Sequence, residues 1–153
     1  LICDVIVGCA NPEGEQGLQI GRLIAARALG NEVPGITISR YCASGLESIA
    51  MAVGKIKAGF GDIYLAGGTE SMSKIPMTGY KLSPSYKAGT DNLNYHLSMG
   101  KTAEAVAKKY EVTGEQATAF SVRSHEKDAA GIAAGHFLVQ IGPVRVQHIY
   151  AKC

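Results

Sequence analysis

Short β-branched segments alternate with helical patterns along the first half of the chain, and this alternation restricts the possible folds most. Residues 4–9 (DVIVGC), 36–39 (ITIS) and 62–66 (DIYLA) are short and apolar, as buried strands are. Helical patterns lie between them at residues 18–29 and 43–58, each ending near a glycine. Connections of this length require parallel pairing through right-handed crossovers. The pattern predicts an α/β fold with a layered, parallel-rich sheet.

The second half of the chain has a different pattern. Residues 75–95 hold two prolines and two glycines with little periodicity, which indicates an irregular excursion over the surface. Helices are predicted at residues 102–110 and 115–134, and Thr113 and Gln116 are spaced to form a capping box for the second. One more short strand is possible near the end, at residues 144–146.

We therefore predict two parts. Residues 1–73 form an α/β domain, and residues 74–153 form a mostly helical segment.

Composition excludes several classes of protein. The chain has 153 residues, 46% hydrophobic and 18% charged, with a net charge of +2 and no block of like charge, so a nucleic-acid partner is not expected. No run of 18 apolar residues exists and the start does not resemble a signal peptide, so no membrane association is predicted. The four cysteines show no CxxC spacing, so we expect no metal site and a reducing compartment. The predicted location is the cytoplasm, or a mitochondrial or peroxisomal matrix in a eukaryote.

Cys42 stands where the second strand runs into a helix. The free N–H groups and the dipole at a helix N-terminus favour negative charge, which stabilises a thiolate and makes it a better nucleophile. The same N–H groups can hold the oxyanion that forms when a thioester is attacked. From the residues alone, a small buried cysteine is the open alternative, and this is what we predict for Cys3 and Cys9.

Gly67 and Gly68 follow the third strand, and we predict a turn there. The carboxyl ends of parallel strands are where the sites of α/β proteins gather. Glu70 comes just after this turn, and we expect its carboxylate to hold the turn by hydrogen bonds. Glu70, Gly67 and Gly68 are therefore predicted to support a site without taking part in its chemistry.

Five segments together resemble the thiolase family, in the family's order. The stretch RYCASGLESIAMA resembles the nucleophile segment RFCSSGLQAIAMA, and AGGTESMSKIPM resembles AGGxESMS-x-x-PM. The stretches NPEGEQGLQIGRLIA, SMGKTAEAVAKKY and SVRSHEKDAAGIAAGHF resemble the loop and helices around them. The likeness is greatest to degradative 3-ketoacyl-CoA thiolases. It implies the N-terminal half of the layered thiolase fold, over residues 1–73, plus part of the loop domain, over residues 74–153.

The resemblance also implies an activity and its residues. Thiolases are acyltransferases that cleave a 3-ketoacyl-CoA with CoA, as in β-oxidation of fatty acids, giving acetyl-CoA and a shortened acyl-CoA. Cys42 matches the cysteine that carries the acyl group, and Met99 matches a residue of the acyl pocket. Coenzyme A is then a substrate, and no separate cofactor or metal is implied. The family forms homodimers, through a strand that corresponds to residues 36–39.

The family's second half is not matched. Its asparagine segment (NEAFA), its histidine segment (GGGxxxGHP) and its second cysteine (CxGxG) have no counterpart in this sequence, which begins at Leu1. We therefore predict that the chain is truncated and inactive alone. Three alternatives stay open: a short-chain biosynthetic acetoacetyl-CoA thiolase, a 3-ketoacyl synthase relative, and a non-catalytic interaction fragment derived from a thiolase. The stretches GGTESMS and SMGKTAE favour a thiolase over a synthase.

Overall fold

Three parallel strands form the sheet, and the first strand lies in its centre. They are β1 (Asp4–Gly8), β2 (Gly35–Ile38) and β3 (Tyr64–Gly68), in the order β2-β1-β3. This arrangement is seen in a computed structural model that describes residues 1–144. The pairing aligns Val5 with Gly35 and Gly8 with Gly68. The predicted α/β fold with a parallel sheet is confirmed.

Helix α1 (Ile20–Leu29) connects β1 to β2 and packs very closely on β2. A Cβ atom added at Gly21 would lie 2.3 Å from the carbonyl oxygen of Ile36, so only glycine fits there. Val5, Val7 and Ala25 form the buried apolar cluster between this helix and the sheet. The small residues thus bring helix and strand together and close the core.

Helix α2 (Ser44–Lys57) connects β2 to β3 and turns its small residues toward the sheet. Its buried residues are Ser44, Ser48 and Ala52. A Cβ atom at Gly8 would lie 2.5 Å from the carbonyl carbon of Ser44, so the space between α2 and β1 is too narrow for large side chains. Four large apolar residues of α2 are exposed on its outer side: Leu46, Ile49, Val53 and Ile56.

The chain divides into two compact units, Leu1–Pro84 and a second beginning at Ser85. This boundary lies later than residue 73, where the sequence pattern places it. The segment after β3 belongs to the first unit because Ile75 is buried in it and Tyr80 donates its backbone N–H to Glu13, at 2.8 Å.

The second unit is helical, as the sequence predicts. It contains α3 (Tyr86–Asp91), a 3-10 helix (Leu93–His96), α4 (Met99–Tyr110) and α5 (Gly114–Ala133). The sequence pattern did not predict the first two. Helix α4 begins three residues before the predicted start because Ser98 caps it, accepting a hydrogen bond from the Lys101 N–H. The capping box of Thr113 and Gln116 is confirmed, with both of its hydrogen bonds formed.

Two further sequence predictions concern the end of the chain and membrane-spanning helices. The possible strand at residues 144–146 lies, apart from its first residue, outside the described residues. Within residues 1–144, none of the helices combines the length and the apolar character needed to cross a membrane.

Candidate active site

The turn after β2 presents Cys42 at the surface. Tyr41, the residue before it, has a φ of 48°, in the left-handed region that residues with side chains seldom occupy. Cys42 itself is exposed, and α2 begins two residues later at Ser44. Cys42 therefore directly precedes the N-terminal end of α2, whose first N–H groups have no partner within the helix. The role of Cys42 as a nucleophile stays a prediction.

Hydrogen bonds to Ser44 hold this turn. Ser44 is buried, and its Oγ accepts from the Arg40 N–H, at 2.8 Å, and donates to the Tyr41 carbonyl, at 2.6 Å. Arg40 also makes two side-chain hydrogen bonds to Glu47 in the first turn of α2, at 2.7 Å and 3.0 Å. These hydrogen bonds and the charge of Glu47 raise the pKa of Arg40 above its usual value. The backbone on both sides of Cys42 is thus fixed.

A cavity of about 420 Å³ lies beside Cys42. Its lining comes from three places in the first unit: the end of β1 and the loop after it, the turn and first residues of α2, and the end of β3 with its following loop. Among the lining residues are Asn11, Cys42, Glu70, Met72 and Met77. The carboxyl ends of the three parallel strands thus meet at one apolar recess with a thiol in it.

Glu70 joins two of these walls. One of its carboxylate oxygens accepts the backbone N–H of Ala10, and the other accepts from the Gln16 side-chain amide, at 3.3 Å. Gln16 in turn accepts the backbone N–H of Ser71. Glu70 therefore ties the loop after β1 to the loop after β3, which agrees with its predicted supporting place. That Glu70 supports the site without taking part in its chemistry stays a prediction.

The predicted turn at Gly67 and Gly68 is wrong. Both residues belong to β3, and they pair with Val7 and Gly8 of β1. The Gly67 carbonyl also accepts a hydrogen bond from the Ser48 hydroxyl of α2, at 3.0 Å. Glycine often marks a turn, but here the strand continues through it because a neighbouring strand and a helix pair with its backbone.

The cysteines differ sharply in their surroundings. Cys9 is fully buried, and burial, followed by the charge of Glu70, raises the pKa of its thiol. Cys3 is half-buried, whereas Cys42 is exposed. The prediction that Cys9 is a core residue is confirmed, and Cys153 lies outside the described residues. Cys42 is the one of these three thiols that a substrate could reach directly.

Met99 lies in the second unit, as the first residue of α4. It is exposed and lines an apolar groove between α4 and α5, together with residues such as Val106 and Phe120. The predicted place of Met99 in the pocket beside Cys42 stays a prediction.

The sequence analysis missed Gln16, Met72 and Met77 as site residues. Their segments, PEGEQG and ESMSKIPM, were recognised only as parts of family motifs. Spacing along the chain gave no signal, since Gln16 and Ser71 are 55 residues apart and meet only after the parallel sheet has formed.

Comparisons with known proteins identify the family of this chain. The profile of the family described as "Thiolase, N-terminal domain" matches residues 1–152. The 3-ketoacyl-CoA thiolase of Bacillus subtilis (strain 168) is 51% identical over 146 residues, which are 95% of this chain and 37% of the relative. The beta-ketoadipyl-CoA thiolase of Pseudomonas putida is 35% identical over 95% of this chain and 40% of its own length. The 3-ketoacyl-CoA thiolase of Chromohalobacter salexigens is 38% identical over 88% of this chain and 34% of its own length.

The chain therefore spans well under half the length of the curated relatives that it matches. The family profile covers nearly all of it, and an exposed cysteine stands at the junction of strand and helix that the family motif marks. The chain belongs to the thiolase N-terminal domain family.

Proposed function

We propose that this chain is the nucleophile-bearing part of a 3-ketoacyl-CoA thiolase, an acyltransferase that acts on acyl-CoA and CoA. The observation that carries the proposal is the exposed Cys42, which lines a cavity next to the start of α2. The 51% identity to a protein named 3-ketoacyl-CoA thiolase supports this substrate class over the one in the name of the Pseudomonas relative, at 35%.

Cys42 has a defined task in this reaction. Its thiolate attacks the 3-keto carbonyl of the substrate, the bond between C2 and C3 breaks, and acetyl-CoA leaves after its enolate is protonated. The acyl group that remains on Cys42 is then transferred to the thiol of CoA, which frees the cysteine. The start of α2 favours both the thiolate and the oxyanion of the first step. The groups that move protons are proposed to lie in the part of the family's length that this chain does not span.

The remaining expectations belong to the same proposal. Met99 is proposed for the acyl pocket, and CoA is proposed as a substrate with no separate cofactor. A role in β-oxidation and a location in the cytoplasm, or in a mitochondrial or peroxisomal matrix, stay predictions. The short-chain biosynthetic thiolase and the non-catalytic fragment stay open as alternatives.

Homodimerisation is proposed through β2. This strand is at one edge of the sheet, so its outer backbone groups can pair with a second copy of the strand, once the Gln19 side chain that accepts the Thr37 N–H moves aside. Sedimentation velocity would show a dimer that dissociates when Thr37, in the middle of the strand, is replaced by proline. A monomer at all concentrations would contradict this part of the proposal.

A chimera tests the activity. This chain replaces the matched 37% of the Bacillus subtilis relative, and thiolysis of a 3-ketoacyl-CoA is followed together with the mass of the Cys42 peptide. We expect turnover and an acyl adduct on Cys42, and we expect Cys42→Ser to abolish both. A folded chimera that forms no adduct would refute the assignment of the nucleophile. An adduct without thiolysis would favour a different acyl transfer.

A further inference from the structure

Gln16 is a buried amide side chain whose polar atoms all have partners near the Cys42 cavity. It is 3% exposed and ends the short 3-10 helix Gly14–Gln16. Its Oε1 accepts from the Ser71 N–H, and its Nε2 donates to the Asn11 carbonyl, at 2.9 Å, and to Glu70, at 3.3 Å. The same Nε2 also lies 3.4 Å from the Cys9 sulfur. Burying an amide is costly unless it is hydrogen-bonded, so these bonds decide where the side chain can lie.

The partners of Gln16 belong to two loops on different sides of the cavity. Asn11 lies in the loop after β1, and Glu70 and Ser71 lie in the loop after β3. Asn11 and Glu70 both line the cavity. We call Gln16, Glu70 and their hydrogen bonds to these two loops the Gln16 bridge. It is one of the hydrogen-bonded links between these two walls of the cavity.

The loop after β3 carries the apolar part of the wall. Met72 and Met77 line the cavity from this loop, and both are largely exposed, so their own packing does little to fix them. The far end of the loop is tied by Asn11, whose side chain donates to the Met77 carbonyl at 3.2 Å. The near end depends on the Gln16 bridge. The place of the two methionines relative to Cys42 therefore depends on a residue that does not line the cavity.

We propose that Gln16 is a positioning residue that sets the width of the cavity beside Cys42 by holding the loops after β1 and β3 together. The occupant of that cavity is an acyl chain only if the proposed function is right. The geometric role is independent of it, because it concerns which molecules can reach the sulfur.

Alkylation with two reagents of one chemistry tests the width. Iodoacetamide and its N-pyrenyl derivative are reacted with the 153-residue chain, and the rate at Cys42 is followed by peptide mass spectrometry. We expect Gln16→Met to raise the ratio of the pyrenyl rate to the iodoacetamide rate at least about fivefold. The variant loses every side-chain hydrogen bond of Gln16, and the loss of a single one already shifts an equilibrium between closed and open loops by about that factor.

Gln19→Met is the matched control. Gln19 lies three residues further along, and its side chain accepts from the Thr37 N–H of β2, at 2.8 Å, away from the cavity. We expect this variant to leave the ratio unchanged. General loss of stability would expose Cys9 to both reagents and would also open the cavity, so a changed ratio at Cys42 supports the proposal only where Cys9 stays protected.

An exchange of the two side chains gives a rescue. Gln16→Glu alone places a second carboxylate against Glu70 and removes the amide donor, so the ratio should rise. Adding Glu70→Gln restores a donor and an acceptor between the two positions, so the ratio should return toward that of the unchanged chain. If Gln16→Met does not fold, these two variants still test whether Gln16 sets the width of the cavity.

An unchanged ratio in Gln16→Met with Cys9 still protected would overturn the inference, and so would a double exchange that fails to restore the ratio. Either result would leave the proposed function standing. Absence of an acyl adduct on Cys42 in the chimera would remove the proposed function and leave the alkylation result valid.

Discussion

Tyr41 has the most unusual backbone near the site. Its φ of 48° is one of four positive values among the described residues that are not glycine, and it stands directly before the nucleophile candidate. Ser44 holds this turn through two hydrogen bonds to its backbone. Such a conformation persists only when the surrounding structure enforces it, and it aims the following side chain out of the surface.

Substitution of Tyr41 tests this strain. Asparagine tolerates the left-handed region, whereas a β-branched residue does not. We expect Tyr41→Val to lower the free energy of unfolding by about 1–2 kcal/mol relative to Tyr41→Asn. Urea denaturation of both variants provides the measurement. Equal stabilities would mean that the turn relaxes to another conformation.

Cys42 and Cys9 should differ in reactivity. Cys42 is exposed, and Cys9 is fully buried with a thiol whose pKa is raised by burial. Brief treatment with iodoacetamide at neutral pH should label Cys42 selectively, as peptide mass spectrometry would show. Cys42→Ser is the control and should remove most of the label. Comparable labelling of Cys9 would show that the core opens readily.

Cys9 also predicts an effect of pH on stability. Its pKa is raised in the folded state, so the neutral thiol is favoured there and the unfolded state loses the proton first. The contribution is fully present below about pH 8.5, the usual pKa of a free thiol, and is lost as the pH rises toward the folded-state pKa. Between about pH 8.5 and the folded-state pKa, the free energy of unfolding of the unchanged chain should fall by up to about 1.4 kcal/mol per pH unit more than that of Cys9→Ala. Parallel urea curves at all values of pH would contradict this.

Among the elements, helix α2 packs closely against the backbone of β1 and β3. Gly8 of β1 touches the backbone of Ser44, and the Ser48 hydroxyl reaches the Gly67 carbonyl of β3. The start of α2, and with it Cys42, is therefore located by backbone contact with the central strand. The fully buried positions of this helix are accordingly occupied by serine and alanine.

Two glycine substitutions separate this contact from helix propensity. A Cβ atom at Gly8 would lie 2.5 Å from Ser44, and one at Gly54 in α2 would meet nothing within 4 Å. We expect Gly8→Ala to cost about 3 kcal/mol through overpacking. Gly54→Ala should add about 1 kcal/mol, because alanine favours a helix interior. Thermal denaturation of both variants measures the difference, and a mild effect at Gly8 would show that α2 can shift.

The kinds of elements could be predicted from the sequence, whereas several of their contacts could not. β-branched runs and helical spacing identified three strands and two helices, and the position of Cys42 between a strand and a helix followed from them. The predicted turn at Gly67 and Gly68 is wrong because pairing with β1 overrides the turn preference of glycine. The Gln16 bridge joins positions more than 50 residues apart, and periodicity carries no information about such pairs.

At the scale of the whole molecule, the chain corresponds to well under half the length of its relatives. The family profile covers residues 1–152, while the relatives extend far beyond the matched region. Within the first unit Cys42, which is proposed as the nucleophile, lies on a formed turn and lines a formed cavity. The division of labour in a thiolase is thus proposed to place the sulfur here and the proton transfers elsewhere.

The 153-residue chain alone should therefore not turn over 3-ketoacyl-CoA. General acid–base catalysis contributes about 10²–10⁴-fold to such reactions, and the proposed source of that contribution is outside this chain. Loss of the 3-ketoacyl-CoA absorbance on addition of CoA provides the measurement, with the chimera as the positive control. Turnover by the chain that disappears in Cys42→Ala would show that it contains a general base of its own.

The two sides of α2 can be altered independently. Ser44, Ser48 and Ala52 are inside, so a change there affects whether the first unit folds, whereas Leu46 and Ile49 are outside and contribute little to its interior. An exposed apolar stripe of this kind favours association with other surfaces. Surface redesign for solubility can therefore begin with the outer residues. It should reduce aggregation in samples for spectroscopy and keep the geometry around Cys42.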